Sequence, residues 1–225
     1  MNVPHVTPTW PMYRTLVGVG MFCGLLIAIV FQGTLPVIER NRAEALERAV
    51  FAVLPAASQR TTYALTPEGE FVSDTDAVGQ RVHAGFDSDG RLIGVAIEAS
   101  GMGYADTITV LYGYAPEQEA IVGIRVLTSK ETPGLGDKIE KDAVFLENFV
   151  ALDVRLDPSG ETLQHRIVTV KRGQKTQPWQ IDGITGATIS AKAIGEILAT
   201  SSERWVPIIN EQLEQLVAGE SDDES

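Results

Sequence analysis

One uncharged run constrains this chain more than any other feature. Between Arg14 and Glu39 no residue is charged, and the run passes through Leu25-Leu26-Ile27-Ala28-Ile29-Val30-Phe31. Its 24 residues, at ~1.5 Å each, make a helix of roughly 36 Å, long enough to cross a ~30 Å hydrocarbon core with some tilt. Trp10 and Tyr13 precede it, where interfacial aromatics commonly sit. A cleaved signal peptide is the competing reading, but the run is long for one and no small-residue cleavage pattern follows closely. The reading is therefore an N-terminal segment, residues 1–13, and an uncleaved transmembrane helix over 14–38. Gly20, Gly24 and Ala28 recur every four residues on one helix face, a spacing that lets another helix approach closely. Arg14 lies on one side, and Arg40, Arg42 and Arg48 on the other, so counting positive charge leaves the orientation open.

The remainder is acidic. Of the chain's 18 basic and 30 acidic residues, only Arg14 precedes residue 39, so the following 187 residues carry a net charge of −13. Nucleic-acid binding requires a basic face to neutralise phosphates, and this chain has the opposite balance. Cys23 is the single cysteine, which excludes an internal disulfide, a thiolate zinc site and a cysteine-held iron–sulfur cluster. His5, His83 and His165 show no metal-binding spacing, so no metal site is expected. His83 and His165 fall in strand-like runs and read as surface or internally satisfied histidines.

Glu39–Val53 alternates charged and apolar residues at helical spacing, giving a juxtamembrane helix (39–55) that ends near Pro55. Short β-like runs follow: Thr61–Leu65 and Glu70–Ser73 around Thr-Pro-Glu-Gly, then Arg81–Phe86 and Arg91–Ala99 around Asp87-Ser88-Asp89-Gly90. Thr107–Tyr112, Ala120–Thr128, Ala151–Leu156 and His165–Val170 read as further strands. Helices are expected over Asp137–Asn148, Ile189–Ala199 and Val206–Val217, before an acidic, disordered tail (218–225). The fold class is α+β: one N-terminal transmembrane helix followed by a mostly antiparallel domain over 56–217.

Two motifs carry chemistry. Asp182-Gly183-Ile184-Thr185-Gly186-Ala187-Thr188-Ile189-Ser190 strips bulk from around Thr188 and then enters a helix, whose free N–H groups would favour an anion such as phosphate. The ordinary alternative is that Thr188 or Thr185 caps that helix. Ser129-Lys130-Glu131-Thr132-Pro133-Gly134-Leu135-Gly136-Asp137-Lys138 contains a tight turn whose bare backbone can approach a flat ligand, or can serve simply as a strand-to-helix loop. The chain has no Ser/His/Asp set, P-loop or dinucleotide-binding glycine pattern.

Thr-Gly-Ala-Thr after Asp-Gly, with Glu-Thr-Pro-Gly-Leu-Gly some fifty residues earlier, resembles the FMN-binding domain of the G subunit of Rnf (Rsx) electron-transport complexes. Gly103-Tyr104-Ala105-Asp106-Thr107-Ile108 is similar to the same family's Gly-Tyr…Ile segment. The resemblance implies FMN attached by a phosphoester to Thr188, installed from FAD by a separate magnesium-dependent flavin transferase. It implies a pocket from Asp182, Gly183, Thr185, Gly186, Ala187 and Ser190, with Glu131, Thr132, Pro133, Gly134, Leu135, Gly136 and Tyr104 near the ring. Ser129 stands where the family often carries histidine, so that residue's role is absent or filled otherwise.

The resemblance further implies a redox subunit, not catalytic alone, relaying electrons between ferredoxin and NAD in an ion-translocating complex. Its partners would be the other membrane and redox subunits and the flavin transferase, with the flavin domain on the periplasmic side of the bacterial inner membrane. Flavin suits a relay because it can pass electrons one at a time. Two alternatives stay open: the corresponding C subunit of a sodium-translocating NADH:quinone reductase, and a membrane module that binds ligand non-covalently or regulates.

Overall fold

The computed structural model describes residues 10–66, 69–73 and 79–218. The start of the N-terminal segment, the centre of the Thr-Pro-Glu-Gly turn and the acidic tail lie outside them. The chain divides into two compact units, one up to Ala45 and one from Leu46 onward.

In the first unit, helix α1 (Trp10–Val53) runs from Trp10 without a break to the unit's end, with Pro36 inside it. By length and composition it can cross a membrane. Its apolar side chains are exposed, Leu25, Ile27, Ile29 and Phe31 among them.

The second unit is built on a seven-stranded antiparallel sheet in the order β2-β1-β3-β4-β5-β6-β7. The strands are β1 (Gln59–Leu65), β2 (Phe71–Val72), β3 (Gln80–Phe86), β4 (Leu92–Met102), β5 (Thr107–Ala115), β6 (Ala120–Thr128) and β7 (Leu152–Asp153). A two-stranded parallel sheet pairs β8 (Val168–Val170) with β9 (Gln180–Asp182). Strand alternation sorts side chains to two faces. On β5, Ile108, Val110, Tyr112 and Tyr114 enter the main core, where helix α4 (Thr188–Glu211) contributes Ile194, Leu198, Trp205, Val206 and Ile209. Leu111 points the other way, into a smaller cluster with Ala96 and with Ala49, Val50, Val53 and Leu54 at the end of α1.

That second face is shaped by glycine. Gly85 pairs with Gly94, and Gly113 with Gly123, across β3–β6. A Cβ on Gly123 would stand 2.7 Å from the Val53 carbonyl oxygen, one on Gly94 would stand 2.8 Å from Leu54 Cδ2, and one on Gly113 would collide with the same Val53 oxygen. The helix end therefore lies against bare backbone.

Several elements depart from the sequence expectation. The helix expected over Asp137–Asn148 is two short ones, α2 (Lys138–Lys141) and α3 (Ala143–Leu146), because Asp142 turns extended and caps α3 by accepting from the Phe145 N–H at 3.1 Å. The two helices expected over Ile189–Ala199 and Val206–Val217 are mostly one: α4 runs through Pro207 to Glu211. An interior proline costs about 3 kcal/mol, and burial of Trp205, Val206 and Ile209 around it outweighs that cost. Only Leu213–Ala218 forms a separate helix, α5. Within the strand read at His165–Val170, only β8 forms. His165 is exposed and stacks on Trp179 at 3.7 Å. His83 is buried, with Nδ1 2.9 Å from Thr62 Oγ1, and burial together with the charges of Arg60 and Arg81 pushes its pKa down to about 4.

Candidate functional site

Three loops converge beside the start of α4. One joins β4 to β5, one leads from β6 into α2, and one leads from β9 into α4. Glu131 joins them. Its Oε1 accepts the backbone N–H groups of Tyr104 (2.8 Å) and Ala105 (2.9 Å), and its Oε2 accepts a short hydrogen bond from Ser190 Oγ. Carboxylate and hydroxyl are both buried. Glycine makes room for them, since a Cβ on Gly103 or Gly136 would stand 2.5 Å from a Glu131 oxygen. Burial works to raise the Glu131 pKa, but the hydrogen bonds from Ser190 and the backbone of Ala105, Tyr104 and Asp106 prevail and hold it below the usual value. Glu131 is thus a brace tying the loops together.

The Pro-Gly-Leu-Gly turn is held from within. Leu135 and Gly136 donate their N–H groups to the Thr132 carbonyl, and Gly134 donates to Asp137 Oδ1 at 2.7 Å. Gly134 has φ +80, a left-handed conformation that disfavours any side chain. At the loop's entry Ser129 Oγ accepts the Glu131 N–H at 3.2 Å, so here the serine sets the approach to the brace.

Between the loops lies a cavity of about 370 Å³, lined by Tyr104, Glu131, Thr132, Leu135, Gly136, Gly186, Ala187, Thr188, Ile189 and Ser190. Ligand pockets commonly start near ~300 Å³. Tyr104 is 64% exposed, Leu135 53% and Ile189 56%, so apolar surface of the kind a flat ring covers stands open at its walls.

The hydroxyls divide clearly. Ser190 is committed to Glu131. Thr185 is exposed but does not line the cavity. Thr188 is exposed, lines the cavity, and makes one long bond, 3.4 Å, to the Ile184 carbonyl. The residue in the N-cap position of α4 is Ala187, with no side-chain hydrogen bond, so neither Thr185 nor Thr188 caps the helix. The first N–H groups of α4 therefore have no side-chain cap at the place where Thr188 projects.

Of the residues expected at the site, Tyr104, Glu131, Thr132, Leu135, Gly136, Gly186, Ala187, Thr188 and Ser190 line one cavity. Asp182, Gly183, Thr185, Pro133 and Gly134 do not. Asp182 instead accepts the N–H groups of Gly173 (2.8 Å) and Gln174 (3.3 Å), holding a neighbouring turn, and Gly183 packs on the Val170 carbonyl. Ile189 was not among the expected residues. Its place beside Thr188 on the first turn of the helix was the available signal.

The FMN-binding domain family matches residues 103–201, a stretch that includes every residue lining the cavity. The G subunit of the ion-translocating oxidoreductase complex from Methanosarcina acetivorans is 29% identical over 184 residues, 82% of this chain and 87% of that one. Its counterpart from Shewanella piezotolerans is 30% identical over 179 residues, covering 77% and 78%. NqrC from Shewanella oneidensis shares the fold, with a TM-score of 0.57 and 22% identity over 80% of this chain and 99% of that one. The chain belongs to the family of G subunits of ion-translocating oxidoreductase complexes.

Proposed function

We propose that this chain is a membrane-anchored flavoprotein subunit that relays electrons within an ion-translocating ferredoxin:NAD oxidoreductase, with FMN attached through a phosphoester to Thr188. The observation that carries this reading is the Thr188 hydroxyl. It stands exposed in the cavity on the first turn of α4, held by one 3.4 Å bond. Helix N-termini favour phosphate groups, and the bare Gly186-Ala187 approach leaves room for a separate flavin transferase to work from FAD.

FMN, when bound, supplies the one-electron chemistry of the relay. The chain supplies position. Tyr104, Leu135 and Ile189 offer apolar cover, the Thr132–Gly136 turn offers backbone edges, and Glu131 with Ser190 keeps the loops in register. The subunit would not turn over alone, and its partners are the other redox and membrane subunits. The flavin domain would face the periplasm, where covalent attachment prevents loss of a cofactor that is hard to replace. The quinone reductase reading is supported by fold at 22% identity, whereas G subunits match at 29–30% over most of the chain.

Co-expression with a flavin transferase tests the assignment. The wild-type chain should gain the mass of one FMN less water and fluoresce after denaturing electrophoresis, which a non-covalent module would not. Thr188→Ala should lose both signals at a cost below about 1 kcal/mol in stability, the usual range for an exposed site making one weak bond. Covalent flavin persisting in Thr188→Ala would move the site to another exposed hydroxyl of the cavity, Thr132 or Tyr104.

A further inference from the structure

The attached group would carry a negatively charged phosphoester into a domain that already holds a large acidic surplus, and the helix terminus offers only about half a positive charge. A full cation at the site would answer this, and most basic side chains around these loops are engaged. Lys130 pairs with Asp106 at 2.7 Å, Lys141 with Asp137 at 2.6 Å, and Arg172 with Asp142 at 2.9 Å. Lys138, the first residue of α2, has no carboxylate within ion-pair distance among the described residues. Its side chain reaches over the loop that precedes Thr188. Lys138 Nζ lies 3.7 Å from the position a Cβ on Gly186 would take, and apart from Gly186 and its chain neighbours no other residue comes within 4 Å of that point. Gly186 has φ +84, so the turn requires glycine there. The absence of a side chain also leaves the ammonium's path along the loop open.

We propose that Lys138 is a positioning residue, the counter-charge that holds the phosphoester on Thr188. The inference rests on the Thr188 reading above. It also gives Gly186 a second role, as the gap across which the ammonium faces the attachment loop. Lys192, one turn along α4 from Thr188 and exposed, is the natural comparison.

The test uses the full chain in detergent, prepared with and without flavin transferase, the modified fraction being checked by intact mass. Thermal unfolding is followed by circular dichroism. At low salt, wild type should melt higher with flavin than without. Lys138→Met should lose about 2–4 °C of that gain, the shift expected for one such interaction in a domain of this size. Its unmodified form should melt with unmodified wild type, Lys138→Arg should recover the gain, and Lys192→Met should keep it. Near 1 M salt, where screening acts over about 3 Å, the wild-type gain should fall toward that of Lys138→Met. An equal gain in wild type and Lys138→Met at low salt overturns the role of Lys138 while leaving Thr188 standing. A loss confined to Lys192→Met also overturns it, in favour of that lysine. Wild type that never acquires flavin mass sinks the Thr188 reading and this inference together.

Discussion

Glu131 makes more side-chain hydrogen bonds than any other residue at the site, and its chemistry can be separated from that of the cofactor. Its carboxylate accepts two backbone N–H groups and one hydroxyl from segments distant in sequence. Hydrogen bonds to a charged acceptor are worth about 1.5–3 kcal/mol each, so loss of all three in Glu131→Ala should destabilise the unmodified domain by about 4 kcal/mol or more in denaturant unfolding. The pH dependence has a definite sign. Because its folded-state pKa lies below the ordinary value of 4.5, Glu131 contributes stability above about pH 4.5, lost as pH falls through the lower folded value. Wild type should therefore lose stability more steeply than Glu131→Gln on acidification below 4.5, and parallel curves would show that the carboxylate is not held as described. At this scale the sequence was partly legible. Hydroxyl and glycine spacing marks Thr188, Gly186 and the Pro-Gly-Leu-Gly turn as candidates, and the family resemblance, not the spacing, singles out Thr188. Residue identity did not show that Asp182 would accept from the Gly173–Gln174 backbone, because a turn's free N–H groups become visible only once the chain is folded. That Glu131, besides lining the cavity, ties three loops together is hidden in the sequence for the same reason: its partners are contributed by other loops.

At the scale of elements, the antiparallel sheet followed from alternating runs punctuated by turns, and β6 (Ala120–Thr128) coincides with its run. The parallel β8–β9 pair was not legible. β8 has only three residues, and its partner begins ten residues after it ends, beyond the exposed loop at 171–178. Nor was the purpose of the strand glycines. Each of Gly85, Gly94, Gly113 and Gly123 reads singly as a weakness in its strand, yet side by side they form the bed for the last turn of α1. Gly113→Ala would put a methyl group against the Val53 carbonyl, which is fixed by the helix behind it. Overpacking of this kind costs about 1–3 kcal/mol. We expect a loss of that size in urea unfolding, whereas Gly160→Ala, in a loop with nothing within 4 Å, should lose only what its left-handed φ of +78 imposes. Equal losses at the two positions would mean that the helix end yields easily and does not shape the sheet.

For the whole molecule, the uncharged run and the acidic remainder mark an apolar segment and a polar domain, but composition does not show where one compact unit gives way to the other. The division falls inside α1, between Ala45 and Leu46. Charged and apolar residues simply alternate through that stretch, and only the packing of its last two turns marks the change. Val50, Val53 and Leu54 are fully buried against the sheet face that carries Leu111 and Ala96. Removing three such side chains forfeits about 1.5–3 kcal/mol each, and at roughly 2–4 °C per kcal/mol for a domain of this size the melting temperature should fall by about 10 °C or more. A fragment spanning residues 46–225 should therefore unfold cooperatively, stay monomeric without detergent and accept flavin at Thr188 as the full chain does. One spanning 56–225 retains the site residues but leaves the glycine bed uncovered. It should melt far lower and bind a hydrophobic dye at 25 °C. If the shorter fragment melts with the longer one, the end of α1 is a passive tether, and the sheet carries its second face without help.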